Sequence, residues 1–288
     1  MQNIMLATDF SERSDRALRR AVLLARQHEA RIELVHVVDD DRPRSIVKHE
    51  TTAAYALLKE MARSLKNVEG VSCCSQVLQA DPFAGIAKAV DDTGADLLVI
   101  GPHRRQILQD AFVGTTAERA IRVATCPILM VNGTPAEPYR NVLLTTDLTD
   151  SARISLQHFE RLKLGADVRL TVLHVFDTPM LRLAMSGMMP KDDREAYVND
   201  QRRLAIRELS DFMAKIGGVR AEQIVRQKKS SISNEILATA GDLKSDLIVV
   251  STHGRGSVGR MLIGSVAERV LRSSAVDVLA IPPQRKSE

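Results

Sequence analysis

Short apolar runs alternate with longer amphipathic segments along the first half of the chain. Five runs have the length and apolar content of strands, at residues 3–8, 31–37, 71–78, 96–100 and 128–131. Between them, apolar residues recur every three or four positions, which predicts helices at residues 14–27, 44–66, 82–93 and 115–123. Strands joined by helical crossovers predict a parallel, doubly wound α/β sheet of five strands.

The second half repeats the first half in the same order. NIMLATD at 3–9 returns as NVLLTTD at 141–147, an offset of 138 positions. Near the end of each half, GTTAERAIR at 114–122 returns as GSVAERVLR at 264–272, an offset of 150 positions. Because order and register are both kept, the chain is a tandem duplication. We predict one domain at 1–133 and a second at 139–284, joined by a linker that contains Gly and Pro.

Composition narrows the classes of partner. The chain has 40 basic and 36 acidic residues, and this small excess is scattered, so we expect neither a nucleic-acid nor a membrane partner. No apolar stretch reaches the roughly 18 residues that a membrane helix needs. The N-terminus lacks the basic start and the apolar length of a signal peptide, and the three cysteines lack the spacing of a disulfide framework. We therefore expect a cytoplasmic protein.

Candidate chemistry lies where strands end, because ligands of open α/β sheets bind beyond the carboxyl ends of the strands. The first strand of each half runs into Thr-Asp, at Asp9 and Asp147. The fourth strand of the second half runs into a glycine-containing segment, 251–256, and the chain continues to Gly264 and Ser265, which open a helix. Glycines allow backbone N–H groups to approach a phosphate, and a helix N-terminus adds donors and a favourable dipole. The sequence therefore predicts an anion site in the second half.

These motifs resemble the ATP-binding branch of the universal stress protein family. The resemblance rests on Thr-Asp after the first strand, Leu-His-Val on the second, Thr-His-Gly-Arg after the fourth, and Gly-Ser-Val-Ala-Glu-Arg-Val-Leu, and it covers essentially the whole chain twice. It implies two five-stranded domains of the adenine nucleotide alpha hydrolase type, paired through their last strands as a pseudo-dimer. It also implies adenine nucleotide binding and a role in surviving stress, and it leaves a homodimer of the fused chain open.

In the second half, the resemblance implies a site for ATP, ADP or AMP, with any Mg²⁺ held by the phosphates. Asp147 would contact the adenine or its ribose edge, and Val175 would offer backbone groups to the base. Ser251 replaces the first glycine of the family motif, and we expect binding to survive this small change. The predicted site residues are Thr145, Thr146, Asp147, Val175, Ser251, His253, Gly254, Arg255, Gly264, Ser265 and Val266.

The corresponding site of the first half is degenerate. Arg104 replaces the second glycine of the motif, which costs about 1–2 kcal/mol if the backbone there must be left-handed. A hydrogen bond from Arg104 to a phosphate would regain a similar amount, so we expect weak or absent nucleotide binding. The predicted residues of this degenerate site are Asp9, Val37, Gly101, Arg104, Gly114 and Thr115.

Simpler structural interpretations of these residues stay open. Ser265 with Glu268, and Thr115 with Glu118, match the capping box of a helix N-terminus. Asp9 and Asp147 match helix caps or turn residues, and the two histidines inside apolar strands, His36 and His174, match satisfied core histidines.

The principal hypothesis is a nucleotide sensor or regulator without efficient chemistry, because the loop has no accompanying nucleophile, paired base or metal cluster. A slow ATPase is the enzymatic alternative. The related ATP pyrophosphatases have glycines after the first strand, where this chain has Asp9-Phe10-Ser11 and Asp147-Leu148-Thr149. A nucleotide-free structural or interaction module is the third hypothesis, supported by Arg104 and Ser251 at the two altered glycine positions.

Overall fold

A computed structural model describes residues 1–102, 116–164, 167–183, 190–252 and 263–283. The elements of the first half are β1 (Asn3–Ala7), α1 (Glu12–His28), β2 (Arg31–Val38), α2 (Arg44–Ser64), β3 (Cys73–Gln79), α3 (Pro82–Thr93), β4 (Leu97–Ile100), α4 (Thr116–Val123) and β5 (Ile128–Met130). A π-helical turn at Leu65–Glu69 continues α2. Each predicted strand and helix is confirmed, since apolar runs in the strands and amphipathic spacing in the helices are local signals.

The second half repeats this plan with a longer segment after its second strand. Its elements are β6 (Asn141–Thr146), α5 (Asp150–Leu162), β7 (Arg169–Phe176), α6 (Pro179–Leu183), α7 (Lys191–Ile216), β8 (Glu222–Gln227), α8 (Ile232–Asp242), β9 (Leu247–Ser251), α9 (Ser265–Ser273) and β10 (Asp277–Ile281).

The strands form one sheet in the order β3-β2-β1-β4-β5-β10-β9-β6-β7-β8. Strands are parallel within each half, and the two halves have the same internal order, as a doubly wound domain requires. Only the central pair is antiparallel: among the strands described, β5 meets β10 with Leu129 opposite Leu279. The last strands of the two halves thus join them, as the family resemblance implied.

Helices cover both faces of this sheet. On one face, α1, α2, α5 and α7 pack against apolar residues of the strands, and Phe159 of α5 is among the largest buried side chains there. On the other face, α3, α4, α8 and α9 pack against the alternate strand residues. Within the described ranges, no helix has both the length and the apolar character needed to cross a bilayer.

A buried polar cluster joins the two halves beside the central strands. Arg20 of α1 donates from Nε to Oδ2 of Asp277 at 3.0 Å, and its guanidinium lies 4.0 Å from the ring centre of Tyr139. The Tyr139 hydroxyl donates to the same carboxylate at 2.7 Å, and the Gly133 N–H donates to its Oδ1 at 2.9 Å. Burial and the Asp277 charge hold the pKa of Tyr139 well above its usual value. A buried charge pair supplied with this many hydrogen bonds fixes the relative position of the domains.

Candidate functional site

A cavity of about 780 Å³ opens at the carboxyl ends of β6, β7 and β9. At this place α5 leaves the sheet on one face, while α8 and α9 pack on the other, so the sheet edge is open between them. The eight predicted site residues that the structure describes all line this cavity: Thr145, Thr146, Asp147, Val175, Ser251, Gly264, Ser265 and Val266. The predicted residues His253, Gly254 and Arg255 lie outside the described residues.

Asp147 holds the turn between β6 and α5. Its Oδ1 accepts hydrogen bonds from the N–H of Thr149 at 3.1 Å and from the Thr149 hydroxyl at 2.6 Å. Leu148 between them is left-handed, with φ of 64°, a conformation that the two flanking hydrogen-bonded residues enforce. Thr149 caps α5 itself, accepting from the N–H of Ala152. The turn interpretation is therefore confirmed, the helix-cap interpretation is wrong, and Asp147 also faces the cavity.

The first half builds the same turn at Asp9. Its Oδ1 accepts from the N–H of Ser11 at 3.0 Å, and Phe10 is left-handed with φ of 59°. Burial alone would raise the pKa of Asp9, but the hydrogen bonds from Ser11 and Ser14 and the charge of Arg13 outweigh it and lower the pKa below 3.8. The turn is thus a property of the duplicated fold and needs no ligand.

The two strand histidines tie neighbouring strand ends together. Nδ1 of His174 lies 3.0 Å from the carbonyl oxygen of Thr146, and Nδ1 of His36 lies 2.8 Å from that of Thr8. Both rings therefore have a backbone partner, and the interpretation as satisfied histidines is confirmed. His174 additionally lines the cavity.

The helix α9 begins at the cavity. Gly264 is its N-cap and Ser265 its first residue, and no side chain of the described residues caps the helix. The capping-box interpretation of Ser265 and Glu268 is therefore wrong, because Ser265 lies one position too far along the helix to cap it. The first N–H groups of a helix have no partner within the helix. Those of α9 belong to Ser265 and Val266, which line the cavity. The matching prediction for Thr115 and Glu118 falls partly outside the described residues.

The side chain of Ser251 has a hydrogen-bond partner on the neighbouring helix α5. Its hydroxyl lies 3.1 Å from the hydroxyl of Ser155 on α5, a buried residue whose Oγ is also 3.0 Å from the carbonyl oxygen of Ser151. The serine side chain that replaces the glycine of the motif therefore forms a hydrogen bond with the helix beside it.

Sequence reasoning missed one wall of the cavity. Helix α7 contributes Gln201, Leu204, Ala205 and Glu208, whose spacing of three and four places them on one helix face. Phe176 and Asp177 after β7 line the cavity as well, and Asp177 pairs with Lys228 at 3.3 Å. The sequence does contain a signal for this wall: the polar residues Gln201 and Glu208 lie on the same side of the helix as the apolar residues Leu204 and Ala205.

The degenerate site of the first half is only partly described. Asp9, Val37 and Gly101 lie around the ends of β1, β2 and β4, whereas Arg104, Gly114 and Thr115 lie outside the described residues. Two glycines there pack closely. A Cβ at Gly101 would lie 2.9 Å from the carbonyl carbon and oxygen of Arg13, and a Cβ at Gly85 would lie 2.7 Å from Cγ1 of Val37.

The fold and this cavity define a tandem α/β protein with a cavity at the switch point of its second domain. The model of the universal stress protein family matches residues 1–132 and again residues 138–282. This chain therefore belongs to the universal stress protein family.

Full-length relatives have the same arrangement. A universal stress protein of Mycolicibacterium smegmatis is 24% identical over 304 residues, which cover 98% of this chain and 97% of that protein. The crystal structure of a universal stress protein from Archaeoglobus fulgidus superposes with a TM-score of 0.68 at 18% identity, covering 97% of this chain and 98% of that one. A protein of Pseudomonas aeruginosa PAO1 superposes with a TM-score of 0.65 at 21% identity, covering 98% and 93%. These structures support the fold of both halves.

Proposed function

We propose that the second domain, residues 139–284, binds an adenine nucleotide and acts as a sensor or regulator in the stress response. The observation that carries the proposal is that eight residues of the site implied by the family resemblance line one cavity, from three strand ends and the start of α9. Its volume of about 780 Å³ lies in the range of sites that enclose small ligands.

The start of α9 fits the phosphates. A helix N-terminus presents N–H donors and the positive end of the helix dipole, both of which favour an anion. In α9 these donors belong to residues at the cavity, and among the described residues no side chain takes the capping position. Any Mg²⁺ would be held by the phosphates, as the resemblance to the family implies.

The ends of β6 and β7 fit the nucleoside. Val175 and Phe176 offer apolar surface and backbone groups for a base, and Asp147 offers carboxylate oxygens for an amino group or a ribose hydroxyl. Nucleotide and protein would thus be matched in polarity along the length of the cavity.

The test is equilibrium binding of ATP with Mg²⁺ to the full chain and to the Ser265→Glu variant. Ser265 is exposed, and an acidic residue in the first turn stabilises a helix, so this variant should fold normally. The added carboxylate should repel the phosphates and weaken ATP binding at least tenfold, a loss of about 1.4 kcal/mol.

Ser265→Gln is the matched control, because it adds nearly the same volume without the charge. It should bind ATP more tightly than the glutamate variant. If the wild-type chain binds no ATP at millimolar concentration, the proposal is disproved. Equal ATP affinities of the two variants would show that the phosphates do not bind at the start of α9.

A further inference from the structure

Helices α7 and α9 pack on opposite faces of the sheet, and α7 presents polar groups to the cavity. Gln201, Leu204 and Glu208 line it, at positions that share one face of the helix. Leu204 is 47% exposed, so this wall forms the open rim of the cavity and not its floor.

The lining is uneven in charge. Of the described residues around the cavity, three are carboxylates, Asp147, Asp177 and Glu208, and none is Lys or Arg. Asp177 is paired with Lys228, and Asp147 accepts from Thr149 within its turn. Glu208 forms no ion pair with a described residue. The β7–α7 end of the cavity therefore repels phosphate, while the α9 end attracts it.

This polarity sets the direction of a bound nucleotide. With its phosphates at α9, the base lies towards Val175 and α7, where acceptors are in excess. An ionised carboxylate accepts hydrogen bonds and cannot donate them, whereas the Gln201 amide does both. A base with an amino group at this end gains a hydrogen bond, and a base with an oxo group there meets a second acceptor.

We propose that Glu208, supported by Gln201, selects a purine with a 6-amino group over one with a 6-oxo group. This inference rests on the proposed nucleotide site and names its specificity-determining residue.

The experiment compares adenosine triphosphate with inosine triphosphate, in which an oxo group replaces the 6-amino group and N1 carries a hydrogen. Binding of each to the full chain is measured by titration, in wild type and in Glu208→Gln. Wild type should prefer ATP by roughly fivefold or more, the size expected of one hydrogen bond at a partly solvated rim. Glu208→Gln should reduce the ratio to below about twofold, because glutamine can donate to a 6-oxo group.

Arg207→Gln is the matched control, since it is the neighbouring exposed residue and does not line the cavity. It should keep the wild-type ratio. A Glu208→Gln variant that binds ATP with an unchanged ratio would overturn the role of Glu208 while leaving the nucleotide site standing. Wild type that binds neither triphosphate would overturn the nucleotide site and this inference together.

Discussion

The two halves share one strand order, yet their carboxyl edges are packed differently. In the first half, Gly101 follows β4 and lies so close to α1 that a Cβ there would contact the Arg13 backbone at 2.9 Å. In the second half, the corresponding residue is Ser251, which has a Cβ and bonds Ser155 of α5 at 3.1 Å. The helix after the first strand therefore stands further from the strand end in the second half, where the cavity lies.

The helices after the third strands differ in the same way. Gly85 of α3 packs directly on Val37, so that a Cβ on this glycine would lie only 2.7 Å from Cγ1 of the valine. The matching position of α8, four residues after the N-cap in both helices, is Glu235, whose carboxylate accepts from the N–H of Lys229. Val175, the counterpart of Val37, faces the cavity instead. One missing or added side chain at two positions thus decides how closely a helix approaches the strand ends.

The contact between the halves is also unequal on its two sides. On one side, Arg20 and Asp277 form a buried ion pair with side chains 7% and 1% exposed. The duplication offsets place His158 and Pro127 at the corresponding positions on the other side. Nδ1 of His158 is buried and has no hydrogen-bond partner among the residues that the structure describes. One side of the contact is therefore held by a charge pair, and the other by packing.

The largest expected effect comes from breaking this charge pair. Asp277→Ala would leave the Arg20 guanidinium buried without its carboxylate, which typically costs about 3–5 kcal/mol. Urea unfolding of the full chain, followed by circular dichroism, measures the loss. Asp242→Ala is the control, because Asp242 is 61% exposed in its pair with Arg226 and should cost less than about 1 kcal/mol. Equal losses in the two variants would show that Arg20 is supported by other groups.

A smaller effect should separate the two strand ends. Gly101→Ala forces a Cβ against the Arg13 backbone, and overpacking of this kind costs about 1–3 kcal/mol. Ser251→Ala keeps the Cβ and loses the hydrogen bond to Ser155, which should cost about 1 kcal/mol or less. The same unfolding measurement ranks them. If Ser251→Ala lost more unfolding free energy than Gly101→Ala, this would contradict the inference that α1 lies closer to its strand end than α5 does.

The smallest effect concerns pH and His158. Burial lowers the pKa of His158 below 6.5, and the Arg161 charge lowers it further against the opposing Asp96 carboxylate. As pH falls below about 6.5, His158 is therefore protonated in the unfolded chain before it is protonated in the folded protein. The free energy of unfolding then falls until the pH reaches the pKa of His158 in the folded protein. His158→Gln should make the fall in unfolding free energy between pH 7 and pH 5 shallower than in wild type. A pH profile of His158→Gln identical to that of wild type would contradict this prediction. His49→Gln is the control, because His49 is exposed and its replacement should leave the wild-type profile unchanged.

Much of the site was predictable because its signals are local. Thr-Asp at the end of β6 and the glycine before α9 are each recognisable within a few residues, and the fold rule brings strand ends to one edge. Val175 was predicted only from the family resemblance. The cap of α9 was not predictable to the residue, since Ser265 and Gly264 both suit a helix N-terminus. In the structure Gly264 is the N-cap, with φ of −58° and ψ of 140°.

The sequence by itself determined the duplication, the order of strands and helices, and which strand ends carry polar residues, because side-chain periodicity reports the burial of each residue in its own element. Only the tertiary structure decided the α7 wall, the Arg20–Asp277 pair across 257 positions, and the approach of α1 to Gly101. These depend on distances between elements far apart in the chain, which no local pattern of hydrophobic and polar residues encodes.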